Sequence, residues 1–282
     1  MRLDSQFMFY LEARKVIAWF LVVLVIGLLG CGRDGQSVQR AYGQDRYLSR
    51  EGQIDGTSFR YRVYLPPNRK ADENLPVMLY LHGAGNRGSD NESQLNGLAE
   101  QIEANQSSIN FIIVIPQCPP DRFWDEKLLI QANQALDDTV SEFNADKNRL
   151  YLTGFSLGGY GAWSMAAMYT GKFAAIVPMS GRVLPRSSEM KSISSGISAL
   201  TKAEEPYNAF AARLGNTPTW IFHGAEDRVV PVESSRKIFA AMKGSGNQYV
   251  KYDEVAGAGH EPMAFRTDGF FEWLNQQHLD QK

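Results

Sequence analysis

The chain has 282 residues, 44% of them hydrophobic and 21% charged, with a formal net charge of −2. That balance is globular and excludes a disordered, collagen-like or multi-span membrane chain; without a basic excess, nucleic acid is not an expected partner. Four His and two Cys leave neither a zinc ribbon nor a small disulfide scaffold.

Residues 16–29, VIAWFLVVLVIGLL, form an uninterrupted apolar run behind Arg14-Lys15. As a helix the run reaches about 21 Å, short of a hydrocarbon core of about 30 Å. A positive start, a short apolar stretch and then small residues is the layout of an export signal. The run ends in Leu28-Leu29-Gly30-Cys31. This resembles a bacterial lipobox, which implies that Cys31 is acylated and becomes the new N-terminus. The expected organisation is a signal peptide over 1–30, a polar tether over 31–46 and one domain over 47–282. The protein is then an exported lipoprotein, periplasmic or at the cell surface, held to a membrane by lipid at Cys31. An uncleaved anchor helix is the alternative. A start at Met8 leaves a more compact, basic lead-in. With Cys31 lipidated, Cys118 has no partner within the chain.

After the tether, Phe59 to Leu65 alternates and ends at Pro66-Pro67, as an early outer strand does. Continuous apolar runs at 77–81, 111–115, 149–153, 174–177 and 219–222 predict strands buried on both faces. Helical stretches lie between them at about 92–105, 127–144, 157–170 and 233–243. Tyr249 to Val255 predicts a last strand, and 263–277 a last helix. Strands alternating with helices predict an α/β fold: a mostly parallel, twisted sheet with helices on both faces. The connection over 181–217 is long, Ser-rich and weakly patterned, and reads as a possible lid or cap insertion.

Gly154-Phe155-Ser156-Leu157-Gly158 fits G-x-S-x-G. It follows a strand and opens a helix, the context of a nucleophile elbow, in which a strained turn lifts the Ser hydroxyl above the sheet. A Gly-rich helix entry with a capping Ser is the bland reading. A Ser hydroxyl needs a base within hydrogen-bond reach. Of the four His, only His260, in the small-residue loop AGAGH, has the C-terminal position that the order Ser…Asp…His requires. His82 and His223 end earlier strands, and His278 lies in a polar tail. Asp227, a few residues past a strand end, is the expected acid, with Glu226 its neighbouring rival. Two backbone N–H donors for an oxyanion are expected at Leu157, after the nucleophile, and at Ala84 in the Gly-rich loop after 77–81. Trp124, beyond the Pro-stiffened segment PQCPP, is expected to wall the substrate pocket or else to pack its loop onto the next helix.

In that order, LYLHGAGNRG, VIPQCP, LTGFSLGGYGAW, WIFHGAEDRVVP and AGAGHEPM resemble the α/β-hydrolase superfamily. More narrowly they resemble its phospholipase/carboxylesterase or "predicted peptidase" esterase branch. That branch is related to dienelactone-hydrolase-like and polyhydroxybutyrate-depolymerase-like esterases. The resemblance covers about residues 50–277. It implies an α/β-hydrolase fold and ester hydrolysis through an acyl-enzyme, with no metal and no cofactor. The substrate it implies is a small-molecule or carbohydrate ester, with a short or aromatic acyl group. Dienelactone hydrolases proper carry Cys at the elbow, where this chain has Ser156. A peptidase or amidase on the same fold, or a non-catalytic binding lipoprotein, are the competing expectations.

Overall fold

The computed structural model describes residues 46–70 and 73–279. The expected leader, Cys31 and the tether up to residue 45 lie outside the described residues. Among the described residues no helix is long and apolar enough to cross a membrane.

Eight strands form one sheet: β1 (Tyr47–Ile54), β2 (Thr57–Tyr64), β3 (Val77–Leu81), β4 (Ile112–Pro116), β5 (Leu150–Phe155), β6 (Ala175–Met179), β7 (Thr219–Gly224) and β8 (Val250–Val255). Their spatial order is β1-β2-β4-β3-β5-β6-β7-β8. β2 runs antiparallel to both β1 and β4, and every other pairing is parallel. Every residue of β3, β4, β6 and β7 is buried, which is why these strands read as continuous apolar runs.

β1 had no counterpart among the sequence expectations. It folds back on β2 through Asp55-Gly56, both at positive φ (48° and 72°), as a two-residue hairpin turn requires.

The helices are α1 (Leu98–Ala104), α2 (Glu126–Glu142), α3 (Leu157–Met168), α4 (Ser195–Thr201), α5 (Pro206–Leu214), α6 (Glu233–Gly244) and α7 (Phe270–Asn275). α2 buries Leu128, Leu129, Ala132, Leu136 and Val140, an i, i+4 stripe, and Asp125 caps its start by accepting from the Leu128 N–H. α3, behind the elbow, is buried on nearly every side. The expected helices at 92–105 and 263–277 are each split into a 3-10 turn and a short α-helix. The breaks fall at Gly97 and Gly269, whose left-handed φ of 75° and 73° cannot continue a helix.

The connection over 181–217 is not structureless. It holds α4, capped by Ser194, and α5, which starts on Pro206. Ile197, Phe210, Ala211 and Leu214 join the hydrophobic core, and α5 packs on α3 and α6. Helices of seven and nine residues bury too few side chains to leave a visible period.

Candidate active site

The carboxyl ends of β3, β4, β5, β7 and β8 open on one edge of the sheet, where a doubly wound sheet carries its chemistry. Ser156 stands between β5 and α3 with φ 57° and ψ −113°. This left-handed backbone costs a non-glycine residue about 1–3 kcal/mol and persists because the surroundings impose it. Chief among them is Gly158. A Cβ there would lie 1.7 Å from the Leu81 carbonyl oxygen, so α3 and β3 touch backbone to backbone. Ser156 does not cap α3 through its side chain.

Its hydroxyl instead meets His260. The Oγ lies 2.8 Å from Nε2, and Nδ1 lies 2.7 Å from Asp227 Oδ2. The carboxylate can only accept, so Nδ1 carries the proton and Nε2 is left to accept from the Ser156 hydroxyl. The Phe155 ring lies against the imidazole, with centroids 4.8 Å apart. The loops of Asp227 and His260 meet because β7 ends in Gly224. A Cβ there would lie 2.2 Å from the Gly259 carbonyl oxygen.

Asp227 is held from both sides. Oδ1 accepts from the Val229 and Val230 N–H groups at 2.8 and 2.9 Å. Burial raises its pKa, but the His260 and backbone hydrogen bonds outweigh that and hold it below the usual carboxylate value. Glu226, the rival, is exposed. Glu254, on β8, is engaged with Arg236 and Tyr252.

In the sequence His223 is only a strand-end alternative to His260 as the base. It is fully buried behind Asp227: its Nε2–H donates to the Val230 carbonyl at 3.0 Å and lies 3.3 Å from Asp227 Oδ2, and its Nδ1 accepts from Ser235 at 2.7 Å. It braces the loop that carries Asp227. The motif FHGAED shows such a histidine, but not which way its ring points.

Gly83, the residue before Ala84, lies against the elbow, its Cβ position 3.5 Å from Ser156 Cβ. Neither the Ala84 nor the Leu157 N–H donates to another described group. Leu157 also opens α3, whose dipole favours negative charge there.

Trp124 requires a correction. It does not wall a cleft: it is 1% exposed, and its Nε1–H donates to the His82 carbonyl at 3.0 Å. Its ring meets His82 edge-on at 5.2 Å. It supports the Ala84 loop from beneath. His82 ties that loop sideways: Nδ1–H donates to the Gly83 carbonyl at 2.8 Å, and Nε2 accepts from the Cys118 N–H at 2.9 Å. Cys118 is a free, buried thiol, pushed up to about 12 by burial. Among the described residues no cluster of His, Cys, Asp and Glu is arranged to hold a metal ion.

The Cys118 contact needs the neutral ring, because a protonated Nε2 cannot accept, and burial pushes the His82 pKa down to about 4. The unfolded chain binds the extra proton between about pH 6.5 and 4. Stability is therefore full above that window and falls through it as pH drops, by on the order of 3 kcal/mol. Denaturant unfolding at pH 7 and at pH 4.5 should show the loss, and His82→Gln should flatten it. An equal loss in the variant would assign the acid sensitivity to another group.

Three known proteins are similar to this chain. The bifunctional acetylxylan esterase/xylanase XynS20E of Neocallimastix patriciarum is 24% identical over 77% of this chain and 33% of its own length. The poly(3-hydroxyoctanoate) depolymerase of Pseudomonas fluorescens is 27% identical over 58% of this chain and 59% of its own. A thermostable esterase of known crystal structure superposes with a TM-score of 0.65 at 27% identity, covering 83% of this chain and 64% of the esterase. The chain thus spans about a third to three fifths of the length of these curated relatives. The sheet order and these likenesses establish the α/β-hydrolase fold expected from the motifs. Residues 124–277, more than half of the chain and the part that holds Ser156, Asp227 and His260, match the prolyl oligopeptidase family, and the chain belongs to that family.

Proposed function

We propose that the protein is a serine hydrolase of carboxylic esters, working through an acyl-enzyme on short or aromatic acyl esters of carbohydrates. One observation carries the reading: Ser156 Oγ, His260 and Asp227 stand in unbroken hydrogen-bond sequence, at 2.8 and 2.7 Å, on a strained elbow. As Ser156 Oγ bonds to the acyl carbon, its proton passes to His260 Nε2. Asp227 steadies the imidazolium. The tetrahedral oxyanion accepts from the Ala84 and Leu157 N–H groups. The imidazolium then protonates the departing alkoxide as its bond to carbon breaks. Water, losing a proton to His260, attacks the acyl-enzyme and frees the acid and Ser156. No step needs a metal or cofactor.

The names of the acetylxylan esterase, the depolymerase and the thermostable esterase support ester cleavage. The family match keeps amide cleavage as a second reading, since both reactions share the acyl-enzyme. Matched pairs of p-nitrophenyl esters and p-nitroanilides, with acetylated and feruloylated sugars, test the proposal. Rapid turnover of short-chain and sugar esters with inert anilides is expected. Anilides cleaved as fast as esters would reverse the assignment.

Asp227→Asn should lower kcat by about 10⁴-fold with little change in KM, because it upsets the tautomer of His260 and leaves the pocket intact. Glu226→Gln should be nearly silent. A larger loss in the Glu226 variant would move the acid one residue upstream.

The proposal includes export and anchoring through Cys31. Cys31→Ser should stop fatty-acid labelling and release the protein from membranes or leave it unprocessed. Equal labelling of wild type and variant would contradict the lipid anchor.

A further inference from the structure

We infer that the groove between the β1–β2 hairpin and the start of α2 binds the sugar side of the ester, and that it favours a saccharide bearing a carboxylate. The inference rests on the esterase reading and extends it to the alcohol half of the substrate.

Placement comes first. β2 starts, and the loop after β4 leaves, at the same sheet edge as Ser156, since Tyr61 pairs with Pro116 antiparallel. From β5 to β2 there are three strand spacings, about 14 Å. That is within reach of a short oligosaccharide whose acylated hydroxyl sits at Ser156. The groove is also tied to the oxyanion loop. Arg87 donates to the Ala84 carbonyl and to the Arg122 carbonyl, both at 3.0 Å, and Arg122 lines the groove.

Its chemistry suits a sugar. The groove has a volume of about 510 Å³, within the range of small-ligand sites. Phe59 offers an apolar ring on one wall. Gln131 lines it too, is only 7% exposed, and makes no hydrogen bond with the described chain, so its amide is open to a ligand there.

The charge suits an acid. Arg60, Arg122 and Lys127 line the groove against a single carboxylate, Glu51, in a chain whose net charge is −2. Arg122 is engaged with Asp125, and Arg60 with the Ser89 carbonyl. Lys127 has no ion pair among the described residues and is exposed.

The test uses full-length protein carrying Ser156→Ala, so that bound ester is not turned over. Calorimetry compares a xylo-oligosaccharide with a glucuronic acid branch against the unbranched chain of equal length. The acidic sugar should bind about tenfold more tightly, the scale of two exposed charge contacts. Arg60→Gln with Lys127→Gln should erase that preference. So should salt near 1 M, where the screening length falls to about 3 Å. In the active enzyme, the double variant should raise KM for acetylated glucuronoxylan about tenfold and leave p-nitrophenyl acetate turnover unchanged. Equal binding of the two sugars, or a preference that survives the double variant, would overturn the groove assignment. Should no ester be hydrolysed while the acidic sugar still binds selectively, the esterase reading falls and the groove stands.

Discussion

Ser156→Ala should lower kcat for the preferred ester by at least about 10³-fold, and by as much as about 10⁶-fold, while KM changes little. In the proposed mechanism the Oγ bonds to the acyl carbon, and it lies 2.8 Å from His260 Nε2, the nitrogen proposed to take its proton. Nothing else in the fold depends on it, because Ser156 does not cap α3. The variant should therefore melt near the wild-type temperature. Ser156→Gly is the companion. It is equally inactive, but it relieves a backbone held at φ 57°. A gain of up to about 2 kcal/mol is expected after glycine's entropy cost. An inactive Ala variant beside an inactive, stabilised Gly variant separates the chemistry at this position from the strain. His260→Ala should match Ser156→Ala in rate, since the members of such a unit are not additive, and His278→Ala should be silent.

Gly158→Ala should be the most destabilising single change near the elbow, by more than about 4 kcal/mol. The added methyl would sit 1.7 Å from the Leu81 carbonyl oxygen and 2.9 Å from that of His82. Both are backbone atoms of the strand and loop that carry Ala84, so no side chain can swing aside. Either the domain fails to fold, or α3 withdraws from β3 and the Ala84 and Leu157 N–H groups separate. Gly244→Ala, at the end of α6 with nothing within 4 Å, is the control. It should be neutral or gain up to about 1 kcal/mol from helix propensity. Unfolding free energies of the three proteins check this. A Gly158→Ala protein as stable as wild type would contradict the close approach of α3 to β3.

The parts of the fold visible in the sequence are those in which one face or both are fully buried. β3, β4 and β7 announce themselves as unbroken apolar runs, and α2 by its stripe of leucines and alanines. β1 does not, because its exposed face carries Ser49, Glu51 and Gln53 and its hairpin partner must be known first. Asp55-Gly56 was the available signal. α4 and α5 are too short for their period to rise above a Ser-rich background. At the site, chain order and strand ends suffice to single out Ser156, Asp227 and His260, whose side chains the fold brings into contact. Trp124 was not legible: a Trp on a Pro-rich loop reads the same whether its ring faces solvent or the core. Its orientation is set by a carbonyl at His82, 42 residues away in sequence. The bracing of Asp227 by His223 is hidden for the same reason, since a strand-end histidine gives no hint of its partner.

The central claim is that Ser156 is the nucleophile of an acyl-transfer enzyme. The most direct measurement is reaction of the purified protein with a fluorophosphonate, followed by intact-mass and peptide mass spectrometry. The expected result is a single adduct, mapped to Ser156, formed by wild type and absent from both Ser156→Ala and His260→Ala. No adduct on the folded wild-type protein, or an adduct on another residue that persists in the Ser156 variant, would contradict it.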